Sequence, residues 1–390
     1  MKDIPMIENL SARAQALEAS KIREVAELGM KETDILPLFF GEGAWTTNTK
    51  IVDAAIASLK AGNHFYKPNN GDVALRDEIV RYSNGLFGCN LTRERITVTP
   101  SGMQGIMLTA EILTSPGDRV VAVEPGWPNF VGAFKAVGAN ISTVSIAPKD
   151  GRWALDLNEL IDALTPDTKA VILNSPNNPT GWTMSAQEQR IVLEHCRQNG
   201  IWIVADDVYT RLYRHADSAP SFLSIAEEGD LLISINSFSK CWSMTGWRLG
   251  WIVAPAPIEA KLGQLTEFNT SSTAAFIQTA GIIALRDCED EIEDLRGRIA
   301  TGYEIVAEKL QAFSRVEFIK PDGAFYCFFR VEGLDDSFSA AKQIMHETRV
   351  GLAPGIAFGH QGEGYLRLCY AQPAEVLEDA FVRLKPFLSK

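Results

Sequence analysis

AVILNSPNNPTGWTMSAQEQRIVLEHCRQNGIWIVADDVY, residues 170–209, decides the fold class. Its first run, AVILN (170–174), is short and apolar. SPNNPTG (175–181) is dense in Pro, Asn and Gly and reads as a loop. Ser185 and Glu188 stand three apart ahead of Ile191 and Val192, the pattern of a capping box, and Gly200 supplies the helix stop. IWIVADD (201–207) is a second apolar run. Strands that are apolar on successive positions suit a sheet buried on both faces. Strand, helix, strand in that order argues an α/β protein with a mainly parallel sheet.

The pattern continues on both sides. VVAVEP (120–125), LLISINS (231–237) and LGWIVAP (249–255) are strand-like, and Leu157, Leu160, Ile161 and Leu164 form a helical stripe. Toward the end, Ile292, Leu295, Ile299, Ile305, Val306, Leu310 and Phe313 fit one long helix. AFYCFFRV (324–331), a helix over Phe338 to Met345, LRLCYA (366–371) and a last helix from Pro373 follow. We therefore expect a large domain over 51–290 and a small α+β domain over 291–390, with 1–50 an N-terminal arm that joins the small domain. Composition excludes other classes. With 390 residues, 46% of them hydrophobic, the chain buries a full core and is not disordered. Lys and Arg number 37 against 49 Asp and Glu, a formal charge of −12, which argues against nucleic acid and anionic membrane as partners. The N-terminus has no secretory pattern, and the six Cys show no CxxC spacing, so a cytoplasmic, reduced protein without a zinc site is expected.

In buried α/β sheets, ligands collect where strands end. Three ends carry polar groups: SPNNPTG, then Asp206 with Tyr209, then SFSK (237–240). An anion site needs free N–H groups at a helix start and an Arg fork; Ser101, Gly102, Met103, Ser237 and Arg248 supply them. Lys240, ending a buried strand, is placed for a Schiff base. Asp206 is placed to hold a protonated ring nitrogen. Phosphate, imine and pyridinium together describe pyridoxal 5′-phosphate.

On these residues the chain resembles the fold-type-I, class I/II aminotransferases, in the branch containing many bacterial aspartate aminotransferases. NSPNNPTG (174–181), Asp206-x-x-Tyr209, SFSKxxxMTGWRxG (237–250), LRLCYA (366–371) and YKPNNGDVALRDEI (66–79) carry the resemblance over nearly the whole length. It implies an aspartate-aminotransferase-like fold, with a mainly parallel seven-stranded-type sheet between helices. It implies a transaminase that moves the amino group of an L-amino acid to a 2-oxo acid, by a ping-pong route. Lys240 is then the cofactor lysine and proton shuttle, and Asp206 the partner of the ring nitrogen. Asn178 and Tyr209 face the ring hydroxyl, and Trp127 stacks on the ring. Arg367 clamps the substrate α-carboxylate, a site to which Trp127, Asn178 and Gly41 also contribute. Tyr66 reaches the cofactor phosphate of a second subunit, so a homodimer is implied, and NTSS (269–272) lines the same interface. Three departures touch the substrate end: GEGAW (41–45) stands where GEPDF is common, Phe130 where a Tyr is common, and Asn177 where aspartate-specialised animal-type enzymes have His. Two alternatives stay open on motifs alone: a carbon–sulfur β-lyase using the same cofactor, and a non-catalytic aminotransferase-like module.

Overall fold

The computed structural model describes residues 9–389; the first eight residues of the expected arm lie outside them. One sheet contains β1 (Ile96–Thr99), β2 (Arg119–Glu124), β3 (Asn140–Lys149), β4 (Arg152–Leu155), β5 (Thr168–Asn174), β6 (Trp202–Asp206), β7 (Leu232–Ser237) and β8 (Gly250–Val253). Their order is β1-β8-β7-β6-β5-β2-β3-β4. The five central strands β7-β6-β5-β2-β3 run parallel, while β8 is antiparallel to both its neighbours and β4 folds back on β3. Seven strands thus make the main sheet, and the hairpin strand β4 adds an eighth. The apolar run 249–255 did form a strand, but its direction is set by a short return from β7, which periodicity alone does not report.

Alternation explains why these strands lack a polar face. Val120 and Ala122 pack into one apolar cluster with Ile106, Leu108 and Phe134, while Val121 and Val123 pack into another with Val171 and Leu173. Successive side chains point to opposite faces, and both faces are covered.

Four helices matter below: α1 (Lys21–Gly29), α2 (Gly102–Leu113), α3 (Ala186–Asn199) and α4 (Glu289–Gln311). The capping box at α3 is present, with Ser185 Oγ accepting the Glu188 N–H at 3.2 Å and Glu188 Oε2 accepting the Ser185 N–H at 2.7 Å. Gly200 ends α3 at φ 66°, a conformation that favours glycine. Helix α4 buries Ile292, Leu295, Ile299, Val306 and Leu310 and stops at Gln311, short of Phe313.

A second, antiparallel sheet holds β9 (Val316–Glu317), β10 (Tyr326–Val331), β11 (Ala353–Pro354) and β12 (Tyr365–Cys369), in the order β9-β10-β12-β11. The N-terminal segment joins this unit. Leu36–Pro37 pairs in parallel with Val350–Gly351, and Gly29 of α1 sits against Phe39 and Met345. Register places the site: Asn174 lies opposite Asp206, Ser237 opposite Gly250, and Arg367 opposite Phe328 and Ala353.

Candidate active site

The polar strand ends open into one cavity of about 340 Å³ between the two sheets. Gly41, Gly102, Met103, Trp127, Asn178, Asp206, Tyr209, Ser237, Lys240, Arg248 and Arg367 all line it. Two expected residues lie elsewhere. Ser101 stands behind the wall, where its Oγ accepts the Gln104 N–H at 3.2 Å and caps α2. Tyr66 is 89% exposed and does not line this cavity.

Asp206 is buried at the end of β6. Its Oδ2 accepts from Asn174 Nδ2 at 2.9 Å and its Oδ1 from the Val208 N–H at 3.2 Å. Among the described residues no cation pairs with it. Burial pushes its carboxyl up to about 7, and the adjacent Asp207 pushes the same way. Asn174 Oδ1 also accepts the Asn178 N–H at 2.8 Å, and Asn178 Oδ1 accepts from Arg367 Nη1 at 2.8 Å. A continuous hydrogen-bonded path therefore joins the buried carboxylate to Arg367, across from one sheet to the other.

Arg367 is buried, with Nη2 on the Phe39 carbonyl. Its guanidinium lies 4.5 Å from the Tyr326 ring centre and 4.8 Å from that of Phe358. Among the described residues no carboxylate pairs with it, and its buried Nε has no partner. A buried cation so placed lacks an anion. The Lys240 amine donates to the Gly41 carbonyl. Burial lowers it to about 8, and the Arg367 and Arg248 charges act in the same direction. Tyr209 Oη lies 2.6 Å from Tyr326 Oη, and burial raises the Tyr209 phenol well above its ordinary value. Gly41 has no room for a side chain: a Cβ there lies 2.3 Å from Tyr326 Oη.

The end of the cavity formed by α2 and Arg248 is equally specific. Neither the Gly102 nor the Met103 N–H has an acceptor among the described residues. Those donors open the α2 N-terminus to an anion. A Cβ on Gly250 would lie 2.6 Å from the Gly102 nitrogen, so the glycine lets the β8 backbone close on this turn. Arg248 sits beside it at φ 56°, with Nη1 on the Thr245 carbonyl at 2.5 Å. Open N–H groups, an Arg, an amine held partly neutral, a buried carboxylate without a cation and a flat aromatic wall at Trp127 fit pyridoxal phosphate in its charged and planar parts.

Sequence reasoning missed Asn174, Tyr326, Ser239 and Arg23 among the lining residues. Asn174 was within reach: it ends one apolar strand as Asp206 ends the next. Tyr326 lies inside AFYCFFRV and looks like any core aromatic there.

This constellation defines a pyridoxal-phosphate enzyme on an α/β scaffold, and comparison with known proteins refines that class. The model of the family "Aminotransferase class I and II" matches residues 38–384. An aspartate aminotransferase of Pyrococcus horikoshii is 31% identical over 383 residues, covering 97% of each chain. Aromatic-amino-acid aminotransferase 2 of Thermococcus litoralis is 30% identical, covering 98% of each. The solved structure of a Thermus thermophilus aspartate aminotransferase with maleate superposes with TM-score 0.90 at 26% identity, covering 97% of this chain and 99% of that one. The chain belongs to the class I and II aminotransferases. It is a pyridoxal-phosphate-dependent transaminase, which removes the β-lyase and the non-catalytic module as leading readings.

The buried acids carry a pH prediction. Burial raises Asp206 to about 7 and Asp207 to about 6. A carboxyl raised on folding stabilises the fold fully below its unfolded value near 4, and that stability is lost as pH rises through the folded value. Lys240, at about 8, stays charged in both states through this window and contributes little change. If bound cofactor offers Asp206 a protonated nitrogen, its penalty at high pH is removed. The melting-temperature gain on adding pyridoxal phosphate is therefore expected to be larger at pH 8 than at pH 5. A gain that is equal at the two pH values would contradict the pairing.

Proposed function

We propose that this cavity exchanges an amino group between L-amino acids and 2-oxo acids, with Lys240 as the base and Arg367 as the carboxylate clamp, in a cytoplasmic homodimer. The observation that carries the reading is a depressed lysine amine facing a cavity that also holds a buried, anion-free Arg and a buried, cation-free Asp. Bound pyridoxal phosphate supplies an aldehyde carbon for the amino group and a ring that draws electrons from the substrate Cα. Lys240 Nζ would take the Cα proton and pass it to the carbon that carries the cofactor's aldehyde, and would run the same transfer backwards in the opposite half-reaction, which an amine near 8 does at neutral pH at low cost. Asp206 holds the proton on the ring nitrogen. Asn178 and Tyr209 donate toward the ring hydroxyl, and Trp127 covers one ring face. Gly102, Met103, Ser237 and Arg248 hold the phosphate, with Ser101 keeping the α2 turn in place. Arg367 orients the α-carboxylate, and Gly41 leaves room beside it.

The direct test is product analysis with an amino donor and a 2-oxo acceptor. New amino acid and new 2-oxo acid are expected in equal amounts. Pyruvate and ammonia formed without an acceptor would overturn the reading.

The homodimer rests on an exposed face. Phe65, Tyr66 and Phe268 are more than three-quarters exposed. The Lys67 N–H donates to Ser272 Oγ at 3.3 Å, so the Tyr66 segment and NTSS share one surface. If Tyr66 completes the partner's phosphate site, mixed dimers recover activity. Lys240→Ala and Tyr66→Ala are each expected to be poorly active alone. Refolding them together should restore about a quarter of wild-type activity, because half of the dimers are hybrids and each hybrid holds one intact site. Failure to complement, with mixed dimers formed, places Tyr66 in its own subunit's site or in none. The six unpaired cysteines support a reducing compartment. Among the described residues no helix is long and apolar enough to cross a membrane.

A further inference from the structure

Arg23 is a cation on the cavity wall whose side chain has no partner among the described residues. It stands in the first turn of α1, and Ser20, Ile22 and Arg23 line the cavity together. The turn is held in place from two sides. Ser20 Oγ accepts the Arg23 backbone N–H at 3.3 Å, and Val25, Ala26 and Gly29 are buried behind it. Gly29 seats against Phe39, whose carbonyl accepts from Arg367. The helix that presents Arg23 is thus tied through one residue to the carboxylate clamp.

A charge inventory of the wall makes Arg23 stand out. The lining cations are Arg23, Lys240, Arg248 and Arg367, and the lining acid is Asp206 alone. Arg248 and the α2 N-terminus answer the phosphate. Asp206 answers the ring nitrogen, Lys240 is taken up by the chemistry, and Arg367 answers the α-carboxylate. Arg23 is left over. Among the described residues its guanidinium has no hydrogen bond or ion pair, whereas its neighbour Glu24 is engaged by Lys342 at 2.8 Å. Arg23 is solvent-exposed at the rim of a cavity whose wall carries three other cations, where an unmatched charge attracts a further anion.

We infer that Arg23 is a specificity-determining residue that receives the distal carboxylate of an acidic amino acid or dicarboxylic 2-oxo acid. The inference rests on the transaminase reading of the cavity. A planar guanidinium matches a carboxylate with two parallel hydrogen bonds, and Ser20 supplies a hydroxyl at the same turn. Neutral substrates gain nothing from Arg23. Cationic side chains are repelled by it.

The test compares Arg23→Gln with wild-type holoenzyme. With 2-oxoglutarate or oxaloacetate as acceptor, kcat/KM is expected to fall at least about 10-fold, the size of one charge-assisted contact. With pyruvate it should stay within about 2-fold. A second readout needs no turnover: succinate binding, followed by the absorbance of the bound cofactor, should weaken at least about 10-fold, and propionate binding should not change. Arg23→Lys should recover part of the succinate binding. Equal losses for dicarboxylic and neutral acceptors, or none for either, overturn the inference. So does a wild-type enzyme that transaminates neutral substrates and ignores dicarboxylic ones, which leaves the transaminase reading intact. A wild-type holoenzyme that transaminates nothing defeats the transaminase reading itself and this inference with it.

Discussion

Lys240→Ala is expected to lower kcat by about 10⁴-fold or more, because it removes the proposed covalent attachment point and the proposed base at once. The phenols of Tyr209 and Tyr326 on the cavity wall are raised by burial above their ordinary values and do not accept a proton at neutral pH. The variant is expected to fold. Lys240 lies in a single helical turn, Phe238–Cys241, and its amine bonds only the Gly41 carbonyl. Removing a desolvated cation also relieves repulsion with Arg367 and Arg248. Two measurements separate loss of chemistry from loss of site. The pH-dependent visible band of the lysine-bound cofactor should vanish, while pyridoxal phosphate should still bind through Arg248 and the α2 turn. Retained turnover above about 1% of wild type would move the base to another residue. Added methylamine, a small amine that fits the space left behind, should restore part of the rate.

The strand-end residues were legible because chemistry and punctuation coincide in the chain. Asp206 ends its strand, Lys240 stands three residues past Ser237 and Asn178 four past Asn174, so the polar residues at and just beyond the buried strand ends are the ones that line the cavity. Arg367 was legible for a different reason: an Arg between Leu366 and Leu368 in a buried strand needs an anion, and the structure leaves its Nε without a partner. Tyr326 was not legible. Its role arises from register, since β10 and β12 pair Tyr326 with Cys369 and Phe328 with Arg367, which brings the Tyr326 ring against the guanidinium. Nothing local in AFYCFFRV marks one aromatic among four as a site residue. Arg23 was hidden by distance, because more than two hundred residues separate it from Lys240 and its helix reads as an ordinary amphipathic arm. The direction of β8 was hidden for the same class of reason: a fully buried strand shows no alternation from which direction can be inferred.

Arg367→Lys is the second large effect, expected to lower kcat/KM by about 10²–10³-fold for every amino donor. Each hydrogen bond to a charged group contributes roughly 1.5–3 kcal/mol, and the substitution removes the paired geometry as well as one contact. The native guanidinium is fixed on three sides, by Asn178 Oδ1, the Phe39 carbonyl and the two rings of Tyr326 and Phe358. A lysine ammonium satisfies one or two of these and cannot stack as a plane. It also loosens the Arg367–Asn178 link that ties position 367 to the path through Asn174 to Asp206. The diagnostic is uniformity. The α-carboxylate is common to all amino acids, so the same factor should appear with acidic, neutral and aromatic donors, and in KM more than in the cofactor's own affinity. A loss confined to acidic donors would instead assign Arg367 to the side-chain end and leave Arg23 as the candidate for the α-carboxylate. Measured beside Arg23→Gln, the two variants therefore fix the orientation of the substrate in the cavity: one should change every substrate alike, the other only those with a second carboxylate.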